Sequence, residues 1–319
     1  MELPHNPFVW ERPLTEPSAI VGMDGFAADV ARRLRAGTDV AVFGPPGAGK
    51  STFVNRLTRE LDTAVISLGR VLSRAGLQRR LAELALPSAG RVVVLEDVEH
   101  LHRATANPEP IIRLVTGDAP LLFTSSIRDA LTAIPDSVVL PLPQLGRMEF
   151  AAHLGGRFAA TDKPADEDAV AHLLDAAAGH PRSIQRLAGA SWEATAPGEH
   201  VTLGTVIYAH DQLVEPADRP AFAAIYGALA GGGEAEVNEA RALQLLADRG
   251  PARLTSRPVV ARYGFSSHSR VRPALERLRR RGLVDRRDGA WQIADPLFAE
   301  WLRRSSPLQE GEPAAAFDD

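Results

Sequence analysis

Nine residues, GPPGAGKST at 44–52, follow directly on the apolar run VAVF at 40–43. The spacing Gly44-x-x-x-x-Gly49-Lys50-Ser51 is that of a phosphate loop lying between a strand and a helix. Glycines let backbone N–H groups turn inward around phosphate oxygens, and the helix start adds partial positive charge. Lysine occurs only at Lys50 and Lys163, so all but two of the 36 basic residues are arginine. A compact ammonium on a flexible stem reaches the β- and γ-phosphates, where a wide planar guanidinium fills the space differently. The loop therefore excludes the residue this chain otherwise prefers. Ser51 offers its hydroxyl to Mg²⁺. Gly44, Pro45, Pro46, Gly47, Ala48, Gly49, Lys50, Ser51 and Thr52 together read as the cradle of a nucleotide.

A second group with chemistry ends the run VVVL at 92–95: Glu96 and Asp97. Carboxylates at a buried strand tip face the phosphates. Glu96 is expected to hold Mg²⁺ through water, and Asp97 to orient or deprotonate the attacking water, with Glu99 next in line. His100 and His102 follow and are placed at the surface, because two histidines alone are a weak metal signal. A third apolar run, LLF at 121–123, leads into Thr124, Ser125 and Ser126.

These groups need a scaffold that brings several strand ends to one edge. The runs VAVF, AVISL (64–68), VVVL, LLF and VVL (138–140) alternate with helical stretches. Continuous apolar runs of this kind predict buried parallel strands in an α/β core. Phe53, Val54, Leu57 and Leu61 predict the inner face of the helix after the loop. Beyond Pro143 the pattern turns helical. Phe150, Leu154 and Phe158 mark one helix, Asp166–Glu167 open a second that closes at Gly179, and Pro181 begins a third carrying Ile184 and Leu187. The expected organisation is a core with its lead-in at 1–145, a helical lid at 146–205, a further domain at 206–306 and an acidic, disordered tail at 307–319.

Composition sets the outer bounds. The chain has 319 residues, 45% hydrophobic and 24% charged, with a net charge of −4 and no cysteine. That excludes disulfides and thiolate metal sites. The N-terminus lacks a basic start followed by an apolar run, and no apolar stretch approaches membrane-spanning length. A cytoplasmic chain without membrane contact is expected.

The C-terminal region carries a local charge anomaly. Eleven arginines and two acids lie between Arg253 and Arg287, a surplus of nine positive charges in a chain totalling −4. PVVARYG reads as a short helix, FSSHS as a turn, RVRPALERLRRRG as a longer helix, and LVDRRDGAWQI as a hairpin with Asp288-Gly289 at its tip. This is the pattern of a winged helix-turn-helix, with Val271, Leu275 and Leu278 facing inward. Arg270, Arg272, Arg277, Arg286 and Arg287 are candidate phosphate contacts on double-stranded DNA. Ser267, His268 and Ser269 sit where base or phosphate contacts would fall. Pro273 requires the helix to begin only shortly before it.

The ordered series NPFVWERPL, AIVGMDGF, GPPGAGKST, VVVLEDVE, LLFTSS, LPLPQLGRMEF, AGHPRSIQRLAG and ADPLFAEWLRR resembles the AAA+/STAND ATPases, and most of all the archaeal-type ATPases of prokaryotes. The resemblance implies an AAA+/ASCE-type parallel-sheet core with a small lid, and ATP, ADP and Mg²⁺ as ligands. It implies that Val21 and Gly22 lie near adenine, with Met23 in place of an arginine. It places Thr124, Ser125 and Ser126 at the first sensor position without singling out one of them, and Gly179-His180-Pro181 at the Gly-x-Pro turn. Arg182 falls at the second sensor position, reporting on the γ-phosphate, and Arg128 is either a trigger arginine or a surface one. The order Glu96 then Asp97 inverts the usual Asp-first pair, so slow hydrolysis is expected. Two functions follow. One is an ATPase whose nucleotide state controls a DNA-binding winged helix. The other is a non-hydrolysing nucleotide switch whose winged helix docks a protein partner. A nucleotide-dependent homo-oligomer is compatible with either.

Overall fold

The computed structural model describes residues 5–16, 19–69, 73–82, 91–101, 109–131, 134, 136–215, 220–251, 254–287 and 289–305. The chain divides into two compact units, Val9–His153 and Met1–Phe8 with Leu154–Asp319. The segments expected as lid and as winged helix thus form one unit, joined by the first eight residues. His102, Asp288 and the tail at 307–319 lie outside the described residues.

In the first unit, helix α1 (Asp24–Arg35), strand β1 (Val40–Phe43) and helix α2 (Lys50–Leu57) are followed by β2 (Thr63–Ser67), α3 (Arg74–Ala82) and β3 (Val92–Glu96). After a 3₁₀ turn at Val98–His100 come α4 (Glu109–Thr116), β4 (Leu121–Ser125), α5 (Arg128–Leu131) and β5 (Val138–Pro141). The five strands form a parallel sheet in the order β2-β3-β4-β1-β5. Each apolar run of the sequence falls in one of them, except that Leu68 of AVISL lies just past the end of β2. The reason is visible in the packing, because alternate residues of a strand point to opposite faces and both faces are covered. Val40, Val42, Val92, Val94 and Leu122 meet Val30, Leu34, Phe53 and Leu57 on one side. Ala41, Val93, Leu95, Leu121 and Phe123 meet Leu77, Leu81, Leu101 and Ile112 on the other. Asp39 fastens the amino end of this sheet, accepting Leu121 N at 2.9 Å and an ion pair from Arg113. The strand order sets β4 between the loop strand β1 and the acidic strand β3. The carboxyl ends of β1, β3 and β4 therefore open onto one edge, where ligands of such sheets bind.

The helix α6 (Arg147–Ala159) leads into the second unit. There α7 (Glu167–Ala176), α8 (Pro181–Ala194) and α9 (Leu203–Val214) precede α10 (Pro220–Ala230), α11 (Glu234–Arg249) and α12 (Arg257–Arg262). A 3₁₀ turn at His268–Arg270 runs into α13 (Val271–Arg280), and the hairpin β6 (Val284–Arg287) and β7 (Ala290–Ile293) precedes α14 (Pro296–Ser305). The α7–α8 corner is built by left-handed Ala178 and Gly179, φ 46° and 68°. His180 then caps α8, its Nδ1 accepting Ser183 N at 3.3 Å, with Pro181 as the first helical residue. The second lysine is buried here: Lys163 Nζ donates to Trp192 O at 3.0 Å and lies 3.8 Å from the Trp192 ring centre. Val271, Ala274, Leu275 and Leu278 form the buried stripe of α13. Pro273 falls in its first turn, where its missing N–H costs no helix bond.

Candidate nucleotide site

The phosphate loop leaves β1 at Gly44, whose N–H donates to Ser125 O at 3.1 Å and so ties the loop to β4. A side chain at Gly44 would press on Leu142 Cβ at 3.3 Å. Gly47 and Gly49 are left-handed, φ 79° and 103°, a conformation that suits glycine. Lys50 opens α2, is only 8% exposed, and folds back over the loop. Its Nζ donates to Gly44 O at 2.8 Å, Pro45 O at 3.2 Å and Ser126 Oγ at 2.9 Å. Thr52 turns to the lead-in instead, its hydroxyl accepting Leu14 N at 3.2 Å.

Across the sheet edge, burial pushes the Glu96 pKa above the usual carboxylate range, the neighbouring Ser51 hydroxyl and the Lys50 charge pull it down, and Asp97 pushes it up. Glu96 Oε1 and Thr124 Oγ1 are buried without a hydrogen-bond partner. Such atoms are costly unless a ligand meets them. A hard divalent cation fits Ser51 and Glu96, since Mg²⁺ takes one or two protein oxygens and completes its shell with phosphate and water. Among the described residues, no group of three or more His, Cys, Asp or Glu side chains gathers for a metal.

The remaining residues divide. Asp97, expected beside the phosphates, is left-handed at φ 61° and accepts Ser67 Oγ at 3.1 Å, on the β2 side of its strand. Glu99 faces the opposite side: its Oε2 accepts Ser125 Oγ at 2.9 Å and Ser126 N at 3.2 Å. His100 is half-buried. Arg128 is exposed, its guanidinium 5.4 Å from the Phe43 ring centre. Gly22 is left-handed at φ 68°, and a Cβ there would lie 2.1 Å from Leu145 Cδ2. Met23 is 5% exposed and joins the core beside Ala27 and Phe53. In the second unit, Pro181 and the exposed Arg182 form the first turn of α8.

The candidate DNA residues are also divided by their partners. Arg277 pairs with the fully buried Glu239 at 2.7 Å and donates to Ala235 O. Arg281 Nε lies 2.8 Å from the other Glu239 oxygen without hydrogen-bond alignment, and reaches Glu236 at 3.6 Å. Arg270 pairs with Glu234 at 3.1 Å. All three acids belong to α11, outside the window in which the positive surplus was counted. Ser267 caps the turn before α13, accepting Ser269 N at 3.2 Å, while His268 and Ser269 are exposed. Arg272 is exposed, and Arg286 lies 5.1 Å from the Trp291 ring centre. The Arg287 side chain is outside the described set.

Comparison with known proteins identifies the scaffold. A family model described as "Probable winged helix domain" matches residues 238–304. The Walker-type ATPase paby2304 of Pyrococcus abyssi superposes with a TM-score of 0.70 at 14% identity, covering 92% of this chain and 99% of that one. The RuvB Holliday junction branch migration motor of Thermotoga maritima gives 0.53 at 15% identity, covering 88% and 94%. Among curated relatives, the tRNA modification GTPase MnmE of Bradyrhizobium sp. is 41% identical over 78 residues, which is 24% of this chain and 16% of that protein. The chain therefore spans less than a fifth of that relative's length. The structural likenesses show that the chain has the fold of these two proteins, and the family model marks a winged helix at 238–304. Among the described residues no helix is long and apolar enough to cross a membrane.

Proposed function

We propose that this chain binds ATP with Mg²⁺ at the carboxyl edge of its sheet, hydrolyses it slowly, and uses the nucleotide state to control its winged helix. The observation that carries the reading is the pairing of a buried, loop-folded Lys50 with Glu96, whose Oε1 is buried and unpartnered. Lys50 would exchange its carbonyl and hydroxyl partners for phosphate oxygens. Ser51 and Glu96 would hold Mg²⁺, which would supply positive charge against the β- and γ-phosphates. The backbone of Gly47 to Lys50 would bind and orient the phosphates. Val21 and Gly22 are assigned to the base. Arg182 tests whether the second unit senses nucleotide: Arg182→Ala is expected to abolish an ATP-specific protease pattern and to leave ADP binding unchanged. Phosphate release by the full chain, measured with ATP and with GTP and with Lys50→Ala as control, tests the reading. GTP enters because the matched relative is a GTPase. No nucleotide binding would refute it.

A second reading is favoured by one specific observation. Arg270 and Arg277, expected on DNA phosphates, are paired with Glu234 and Glu239. A winged helix so neutralised suits a protein partner, released or engaged by nucleotide. Duplex binding by the full chain at low salt, with and without ATP, separates the two, and sizing under the same conditions reports any homo-oligomer.

A further inference from the structure

The sheet order separates two carboxylates that the sequence puts side by side. β3 has β2 on one flank and β4 on the other, and β4 is the neighbour of the loop strand β1. Asp97 turns to the β2 flank, with Ser67 Oγ 3.1 Å from its Oδ2. The same flank is closed by Gly69, where a Cβ would lie 3.1 Å from that oxygen. Glu99, one 3₁₀ step further, turns to the β4 flank. Its Oε2 takes both Ser125 Oγ and Ser126 N, and Ser126 Oγ in turn accepts Lys50 Nζ at 2.9 Å. Glu99 is therefore linked to the loop ammonium through a single residue, whereas Asp97 is on the far side of its strand.

The geometry points to Glu99 as the carboxylate that orients and deprotonates the attacking water, an assignment that rests on the ATPase reading above. One Glu99 oxygen is committed to the tip of β4 and is thereby held in place. The other, Oε1, serves the water. In the step, the water oxygen bonds to the γ-phosphorus and the bond from that phosphorus to the β–γ bridging oxygen breaks, its electron pair leaving on ADP. The water proton passes to Glu99 and from there to the departing phosphate or solvent. Because Oε2 takes its donors from the sensor strand, the same side chain sets the position of Ser125 and Ser126 around the γ-phosphate.

The test compares Glu99→Gln, Asp97→Asn and Ser67→Ala in the full chain, reading ATP affinity and phosphate release separately. Glutamine keeps an acceptor for Ser125 and Ser126 but cannot take a proton at neutral pH. The expected result is ATP affinity within about twofold of wild type and release slowed about a hundredfold or more in Glu99→Gln, the usual size of general-base loss. Asp97→Asn and Ser67→Ala should stay within about fivefold of wild type in both. Release by Glu99→Gln near the wild-type rate, loss of its ATP affinity, or abolished release in Asp97→Asn with affinity intact each overturns the assignment. Should Glu99→Gln not fold, Glu99→Asp, with its carboxylate drawn back by one methylene, takes its place and is expected to slow release with ATP affinity kept, while abolished release in Asp97→Asn still overturns the assignment. ATP bound but not turned over by the wild type itself removes the ATPase reading and this assignment with it, and is distinguishable from failure of the assignment alone.

Discussion

Lys50 Nζ donates to Ser126 Oγ over 2.9 Å, so the phosphate loop and the tip of β4 share one buried ammonium. Both lysines of the chain are used this way, Lys163 against the Trp192 carbonyl and Lys50 against those of Gly44 and Pro45. In each case a compact ammonium makes the contacts, and a planar guanidinium would fill the space differently. Lys50→Ala is expected to weaken ATP binding about tenfold to a hundredfold, the worth of a hydrogen bond to a charged group. Lys50→Arg is expected to weaken it also, despite keeping the charge. Isothermal titration with ATP, beside a melting curve to show an intact fold, checks both.

Glu96 links metal affinity to stability. Its pKa is raised chiefly by burial, so the folded state holds the proton more tightly than the unfolded state. Stability is then full below the unfolded value and falls as pH rises through the folded one. Without nucleotide or metal, Glu96→Gln is expected to melt above wild type near neutral pH. The two curves should converge in acid, where the carboxyl is protonated in both states. Nucleotide should stabilise both proteins, and adding Mg²⁺ should stabilise wild type further but the variant less. Thermal melts across pH, with and without Mg²⁺, measure this.

The positions of the strands were legible because a parallel strand covered on both faces must be apolar throughout, and VVVL and LLF are. The α8 cap was legible because Pro181 suits only a first turn. Other features depend on neighbours distant in sequence. That Asp97 would be left-handed and turned to Ser67 is set by the path of the chain after β3, which no local pattern encodes. That Glu239 would neutralise Arg277 and Arg281 needs α11 packed on α13, 38 residues apart at the Glu239–Arg277 contact. Counting charge in a window of sequence missed acids that the fold brings in from outside it.

One partly buried contact joins α8 to the residue before α14. Ser183 Oγ lies 2.7 Å from His180 Nδ1 and 3.0 Å from Asp295 Oδ1, and that Asp295 oxygen accepts Leu297 N at 3.0 Å to cap α14. Asp295→Ala removes the acceptor common to both contacts and is expected to cost about 2–3 kcal/mol. Ser183→Ala should cost less, about 1 kcal/mol. Because the two side chains touch, the double variant should be less destabilised than the sum by about 0.5 kcal/mol or more. Urea unfolding of the four proteins closes the cycle, and strict additivity would deny the coupling.

The arginines of the winged helix should separate into two classes by experiment. Arg277 serves Glu239, which is fully buried, so Arg277→Ala leaves a carboxylate with only the poorly aligned Arg281 beside it. Breaking one partner of a buried pair costs about 3–5 kcal/mol, and the nearby Arg281 sets the lower end. Arg277→Ala should therefore act on stability first. Arg272 is exposed and Arg286 lies over Trp291, so Arg272→Ala and Arg286→Ala should leave the melting temperature nearly unchanged. If the winged helix takes duplex DNA, each of those two changes should weaken binding on all sequences alike and make the salt slope shallower by about one. With Arg270 and Arg277 held by α11, about three phosphate contacts remain and the wild-type log–log slope should be near −3. Changing His268 or Ser269 should alter sequence preference more than salt dependence, because exposed groups at the start of α13 are placed to meet base edges. Fluorescence anisotropy of the full chain on duplex across salt concentrations reads all of these. A flat signal at the lowest salt, with and without ATP, would leave the exposed arginines to a protein surface. In that case Arg272→Ala should weaken capture of an acidic partner while DNA shows no effect at all.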